Sequence, residues 1–452
     1  MFREMFLNFA HAHICRGCNH STISVTIVPA ANNFNRGDDV NLKNKVLTLG
    51  ILCALGLPQA AGAEGFAINE WSAEGVAMGG ARMFAEGDAA NVAYNPASIT
   101  KVDGEAFKVS ATYLSPHGEY DLYKDDNLYE GKNRVHFGFA PGTYYVKKLN
   151  DKDWFGIGAF SRFAMVSEFE RNEIVSTNAF VSRLDGVSVT PTFAHKFDDK
   201  WSAAVGAEIN YVRLTMEKNA GWDDKYGSLI PTHTKGESYA LGWNAAANYA
   251  FDDKNEIGVV YRSRIKHSMD ADFHAYNGPV TLSGDAYGEV TLPESWHIGY
   301  SHKFNDKTRV ELNAVRTGWD TYKNLDIMIS GTENGMFDRL HPNDKNWEDG
   351  WRYAIGVEHK LSDKYTLMAG FAYDESSIPY DGGDFMVPTG DRKTYSIGAR
   401  YNDKDQTLAI ALGWMDVGDL RFGFRENNQI TGHAHTHDSY TKIIGISYQR
   451  NF

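Results

Sequence analysis

His433, His435 and His437 alternate along a polar stretch, so on an extended backbone their imidazoles share one side. Three nitrogens at that spacing are an incomplete metal shell. A closed zinc site takes four ligands and the sequence supplies no obvious fourth, so the set reads as solvent-exposed and no metal is expected. His13, Cys15, Cys18 and His20 imitate zinc spacing, but they lie upstream of the segment that reads as the mature protein. Arg162, Arg262, Arg264, Arg352 and Arg400 recur on one side of alternating segments, together with Glu208, Glu311 and Glu358. A guanidinium grips a carboxylate through two parallel hydrogen bonds. Arg262, Arg264, Arg352 and Arg400 are therefore candidate headgroup partners for an anionic solute, against the plainer reading of a ladder of ion pairs. Asp125-Asp126 has no neighbour that implies acid–base work, and no Ser-His-Asp order stands out. These residues suit binding rather than reaction, and neither a catalytic residue nor a cofactor is expected.

The elements that position them must come from 452 residues with a formal charge of −13, 43 glycines and 12 prolines. Such an acidic chain lacks the clustered basic surface that nucleic acid requires. The only sustained apolar run is 46–57, shorter than the roughly 20 residues a spanning helix needs. A β-barrel escapes that test, because only alternate residues of its strands meet lipid. The 46–57 run instead reads as the core of a signal peptide at 41–63, with Lys43 and Lys45 before it and Ala61-Gly62-Ala63 as the cleavage site ahead of Glu64. Residues 1–40 read as an over-extended frame, Val40 being what a GTG start would encode. Cys15, Cys18 and Cys53 all precede Glu64, which leaves the expected mature protein without thiols.

A repeated turn sets the architecture. Leu149-Asn150-Asp151-Lys152, Phe197-Asp198-Asp199-Lys200, Phe251-Asp252-Asp253-Lys254, Phe304-Asn305-Asp306-Lys307, Leu361-Ser362-Asp363-Lys364 and Tyr401-Asn402-Asp403-Lys404 are variants of one tight turn. Alternating strands follow them: Trp201, Val205, Ile209 and Tyr211 oppose Ser202, Glu208 and Asn210; Ile257, Val259, Tyr261 and Ile265 oppose Gly258, Arg262 and Arg264. Longer polar stretches at 219–235, 330–349 and 374–391 lie between the turns. Short turns at one end and long loops at the other are the asymmetry of outer-membrane barrels. Six turns join twelve strands, and 105–115 and 440–452 add a first and a last. An all-β fold results: a fourteen-stranded antiparallel transmembrane barrel over 104–452. The last strand puts Tyr440, Ile444, Ile446, Tyr448 and the terminal Phe452 on one face, resembling the C-terminal signal read by the barrel-assembly machinery.

Residues 64–103 do not alternate. Gly65-Phe66, Asn69-Glu70, Ser72, Gly79-Gly80, Asp88-Ala89-Ala90 and Asn95-Pro96-Ala97 give a compact, small-residue segment before the first strand. A barrel of fourteen strands is too wide for its own side chains to fill, so this segment is a natural plug. Gly-Phe-x-x-Asn-Glu, a Gly-rich and then an Ala/Asp-rich stretch, and Asn-Pro-Ala directly ahead of the barrel resemble the FadL family of outer-membrane long-chain fatty acid and aromatic-hydrocarbon transporters. Close motif matching covers 64–116 and the third strand; the rest matches in layout.

The resemblance implies a hatch at 64–103, with Phe66, Asn69 and Glu70 near a ligand pocket and Asn95, Pro96 and Ala97 as a hinge. It implies ligand capture outside, an apolar lumenal pocket, and lateral release through a gap at an inward kink of the third strand. The kink maps to Gly158, Ser161, Arg162, Phe163 and Ala164 within 155–169; glycine inside a strand often marks a bend. Expected partners are a long-chain fatty acid or another hydrophobic small molecule, membrane lipid, lipopolysaccharide and the assembly machinery through Phe452. An aqueous porin would pass small sugars freely; an outer-membrane phospholipase or protease would hydrolyse lipid or peptide; a surface adhesin would tolerate loss of 64–97.

Overall fold

The computed structural model describes residues 65–223 and 228–452; the 1–40 and 41–63 segments, Glu64 and the His13–His20 set lie outside them. Fourteen antiparallel strands close into one barrel. They are β1 (Glu105–Lys124), β2 (Gly138–Lys148), β3 (Asp153–Phe160 and Met165–Glu168), β4 (Val181–Lys196), β5 (Trp201–Asp223), β6 (Ser228–Ala250) and β7 (Asn255–Arg262 and Ile265–Asn277). The circuit continues with β8 (Val280–Leu292 and Ser295–Lys303), β9 (Thr308–Thr317), β10 (Gly350–Lys360), β11 (Tyr365–Asp374), β12 (Arg392–Asp403), β13 (Gln406–Val417 and Leu420–Glu426) and β14 (Gln429–Asn451). β14 pairs with β1, from Ala106 opposite Asn451 to Tyr123 opposite His433, which closes the wall. No helix among the described residues is long and apolar enough to cross a membrane.

The short turns form as their residues require. The Asp198 carboxylate accepts from the backbone N–H groups of Lys200 and Trp201 at 2.8 and 2.7 Å. Those bonds, Trp201's first, hold its carboxyl below the usual range. Asp252 and Asn305 repeat the geometry. The sixth turn lies slightly later than its tetrad, at Lys404-Asp405, because β12 runs on through Asp403. The stretch at 219–235 is not a loop: β5 and β6 extend through most of it.

Alternation holds along the wall. Val205, Leu241, Ile397, Leu412 and Ile446 are exposed where lipid would meet them, while Ser202, Glu208, Asn210 and Asn248 are buried in the lumen. In β7 the alternation slips. Arg262 opposes Asn244, yet Asp270 opposes Glu237, so eight steps along β7 match seven along β6. One extra residue turns every later side chain to the other face. Arg264, expected in the lumen, therefore points outward to Glu294 at 2.9 Å, and Ile265, expected to face lipid, is buried.

Residues 65–103 lie against inward-facing side chains of the strands. They form two short helices, α1 (Ala73–Ala77) and α2 (Asn91–Tyr94), and a 3-10 turn at Pro96–Lys101. Ser72 caps α1, its hydroxyl accepting from the Gly75 N–H at 3.1 Å. Asn95 caps the 3-10 turn through the Ala97 N–H, its extended backbone being what a following proline demands, and Pro96 fills the first position, where an N–H would lack a partner.

Candidate functional site

The third strand is broken at 161–164. Below the break, β3 pairs with β2 from Trp154 opposite Lys148 to Phe160 opposite Gly142. Above it, Met165–Glu168 pairs with β4 alone. The stretch 138–141 of β2 pairs with β1 but has no strand on its other side. The window ends above at the Arg134 N–H, which donates to the Glu168 carbonyl at 2.7 Å. An unpaired strand edge facing lipid is costly, since lipid offers no replacement hydrogen bonds. Pro141, which has no N–H to satisfy, sits on that edge.

Inside the break, the backbone of 161–164 is paired by the N-terminal segment. The Ile68 N–H donates to the Arg162 carbonyl at 2.7 Å, the Ala164 N–H to the Phe66 carbonyl at 3.0 Å, and Trp71 Nε1 to the Ser161 carbonyl at 2.6 Å. Arg162 is buried against Glu208 at 2.9 Å, and Ser161 bonds the Gly186 carbonyl. Ser161, Arg162, Phe163 and Ala164 lie in the break, and Gly158 lies before it. It lies in regular strand, where a Cβ would stand 3.0 Å from both Val92 and Tyr144. Glycine there serves the close approach of α2 to the wall, not a bend.

Phe66 sits in a ring cluster with Trp319 (4.5 Å between centroids), Tyr322 (5.6 Å), Trp347 (5.8 Å) and Phe163 (6.1 Å). Trp319, Tyr322 and Trp347 come from the loop between β9 and β10, and no local spacing links them to Phe66. Glu70 is buried beside Asn69, whose N–H donates to it at 3.1 Å. Asn95 donates to Asn248 Oδ1 at 2.7 Å, and Asn248 donates to Ser98 at 2.9 Å, which ties Asn95-Pro96-Ala97 to β6.

The candidate arginines differ in one respect. Arg162, Arg352 and Arg400 each have a carboxylate partner: Glu208, Asp374 at 2.8 Å and Glu358 at 2.6 Å. Arg264 faces outward. Arg262 is fully buried, forms no ion pair among the described residues, and leaves Nε and Nη1 without a partner. Its Nη2 donates to the Val92 carbonyl at 3.3 Å and to that of Ala93, and the guanidinium lies 5.6 and 5.8 Å from the Phe160 and Trp71 rings. Nearer the loop end, Tyr120, Met165, Phe169, Met386, Val387 and Arg392 line a cavity of about 80 Å³. Ligand pockets run to roughly 300–1,000 Å³. Met386 and Val387 belong to the 384–389 loop, where Phe385 is buried as well.

The chain matches the family profile described as outer membrane protein transport protein (OMPP1/FadL/TodX) over residues 54–452. It is 25% identical over 401 residues to the long-chain fatty acid transport protein of an Escherichia coli strain, covering 79% of this chain and 88% of that one. Its fold is similar to the crystal structure of a Pseudomonas aeruginosa FadL homologue, with a TM-score of 0.78 at 17% identity, over 86% of this chain and 100% of that chain. The toluene transporter TodX of P. putida superposes with a TM-score of 0.66 at 18% identity, over 85% and 99%.

Proposed function

The chain belongs to the OMPP1/FadL/TodX family of outer-membrane transport proteins, and on that premise we propose that it carries long-chain fatty acids through the wall of its barrel rather than along the axis. The observation that carries this reading is the window between 138–141 and 161–167, where β2 and β3 do not pair with one another. Residues 64–103 act as a hatch that blocks the axis. Their ties to β6, β10 and β14 through Asn95, Gly79 and Ala73 support that reading. Substrate is captured at the loop end, passes beneath the 384–389 loop, and leaves sideways past Phe163. Fatty acid is favoured by the E. coli relative and by Arg262, a buried cation with donors to spare for a carboxylate.

The test is to delete two residues within 161–164, which would let β3 run straight and pair with 138–141. Surface abundance and heat-modifiability should stay normal, while uptake of labelled oleate falls at least tenfold. Undiminished uptake in a folded, straightened barrel would mean an axial path. Free passage of small sugars through the native protein in liposomes would favour an aqueous porin instead.

A further inference from the structure

The seam where β1 meets β14 carries an outward-facing cluster that transport does not use. It lies just beyond a stacked aromatic band of His117, Tyr440 and Trp414, with ring centroids 4.9 and 4.6 Å apart. Beyond that band the register of the seam shifts by one residue, between His117 and Glu119. Gly118 sits at the shift, where a Cβ would stand 2.7 Å from the Ser439 hydroxyl and oblige it to turn away. Opposite it Asp438 takes a left-handed φ of 48°, which Asp tolerates. The extra residue changes which side chains of β14 point outward: Ile444, Ile446 and Tyr448 before it, His437 and His435 after it, with Thr436 and Ala434 turned inward and buried.

The bulge brings together ligands that alternation alone would have kept apart. Glu119 is directly opposite His437, and one ligand atom each from Glu119, His437 and Asp438 lies within 4.8 Å of the others. His437 Nδ1 is 3.1 Å from Asp438, and Nε2 is 3.4 Å from Asp121. The neighbouring histidines are engaged elsewhere, His435 with Asp419 at 3.0 Å and His433 with Tyr380. Three carboxylates thus surround one imidazole, with His117 at 3.6 Å from Glu119 and Lys132 opposite Glu119 on the adjoining Asn127–Lys132 segment.

We propose that Glu119, His437 and Asp438 bind one divalent metal ion of the zinc class on the outer wall at this seam, with solvent completing its shell. An imidazole with two carboxylates suits zinc, whereas calcium takes six to eight oxygens. Ligand atoms held at roughly 2.0–2.2 Å from a common ion lie closer together than 4.8 Å, so these partly exposed side chains would turn toward one another to close the set. The ion would clip the first strand to the last across the closure of the barrel.

The test uses untagged, detergent-solubilised protein stripped with EDTA and titrated with zinc chloride by calorimetry and by equilibrium dialysis. One saturable equivalent per chain is expected, with affinity lowered at least tenfold in His437→Ala and in Glu119→Gln/Asp438→Asn, and unchanged in His433→Ala. Zinc should also raise the heat-modifiability midpoint of the wild type and not of these two variants; unliganded midpoints report whether each variant is folded. Absence of saturable zinc binding, binding retained by both cluster variants, or tighter binding of calcium or magnesium chloride than of zinc would overturn the assignment.

Discussion

At the short-turn end of the lumen, Lys108 reaches Glu74 and Asp88, each at 2.8 Å, and Arg82 reaches Glu358 at 2.8 Å and Asp88 at 3.2 Å, all buried. At the loop end, the Phe66 side chain meets the rings of Trp319, Tyr322, Trp347 and Phe163, while its carbonyl accepts from the Ala164 N–H and the Gly65 carbonyl from Arg392 at 3.1 Å. The difference is one of tolerance. Removing one partner of a buried ion pair strands the other charge in low dielectric. Ring contacts add only about 0.5–1.5 kcal/mol each beyond their area and survive sliding. The N-terminal segment is therefore pinned by ion pairs through Glu74, Arg82 and Asp88, while the side-chain contacts of Phe66 are rings that a ligand could replace, as the proposed hatch beside a lateral exit requires.

The largest effect should come from the pinned end. Glu358 accepts from Arg82, Arg309 and Arg400, so Glu358→Ala leaves three guanidinium groups sharing too little charge. A loss of about 3–5 kcal/mol is expected, read as a lowered urea midpoint of the heat-modifiable form. If Glu358→Ala unfolds no more readily than wild type, the pinned end is no more rigid than the ring cluster, and the contrast fails. A middle effect tests the packing between the two. Gly158→Val forces a side chain into Val92 and Tyr144, costing about 1–3 kcal/mol by overpacking. A neutral result would show that α2 yields, and that the hatch is loose along its whole length.

Much of this was legible in the sequence, for local reasons. The turns announce themselves through Asn and Asp side chains that accept from the N–H groups two and three residues on, and parity along each strand follows from the pleat. Legibility ends where the pleat is interrupted. Nothing in Arg262-Ser263-Arg264-Ile265 says that a residue is extra, because the bulge is fixed by the partner strand; Arg264 and Ile265 thus exchange faces. The bulge at Gly118 and Asp438 is equally silent, which is why three alternating histidines looked equivalent when only His437 meets two carboxylates. Gly158 was visible as a special position, but its reason, the approach of Val92 from 66 residues earlier, was not. Nor was the cage of Trp319, Tyr322 and Trp347 around Phe66, whose members share no period. Aromatic side chains in a long loop carry no mark of what they cover.

The last and smallest expected effect sets Arg262 against Glu358, a buried charge without an ion pair among the described residues against one with three. Arg262 lies wholly inside the lumen, its guanidinium beside the Trp71 and Phe160 rings and two backbone carbonyls, with two nitrogens unused. Burial of a cation without a carboxylate disfavours the folded state, so Arg262→Met should leave the heat-modifiability midpoint unchanged or raise it. If the unused donors receive the substrate's carboxylate, the same variant should lose about tenfold in oleate uptake. That corresponds to roughly 1.4 kcal/mol, near the lower edge of a hydrogen bond to a charged group. Uptake of a long-chain alcohol, which offers no charge to the guanidinium, should be unaffected. Equal losses for acid and alcohol would mean that Arg262 only holds Val92 and Ala93 in place and that the headgroup site lies elsewhere. A lowered midpoint would mean that its two ring contacts and two carbonyls outweigh the missing counter-charge, and that the loop end of the lumen is pinned after all.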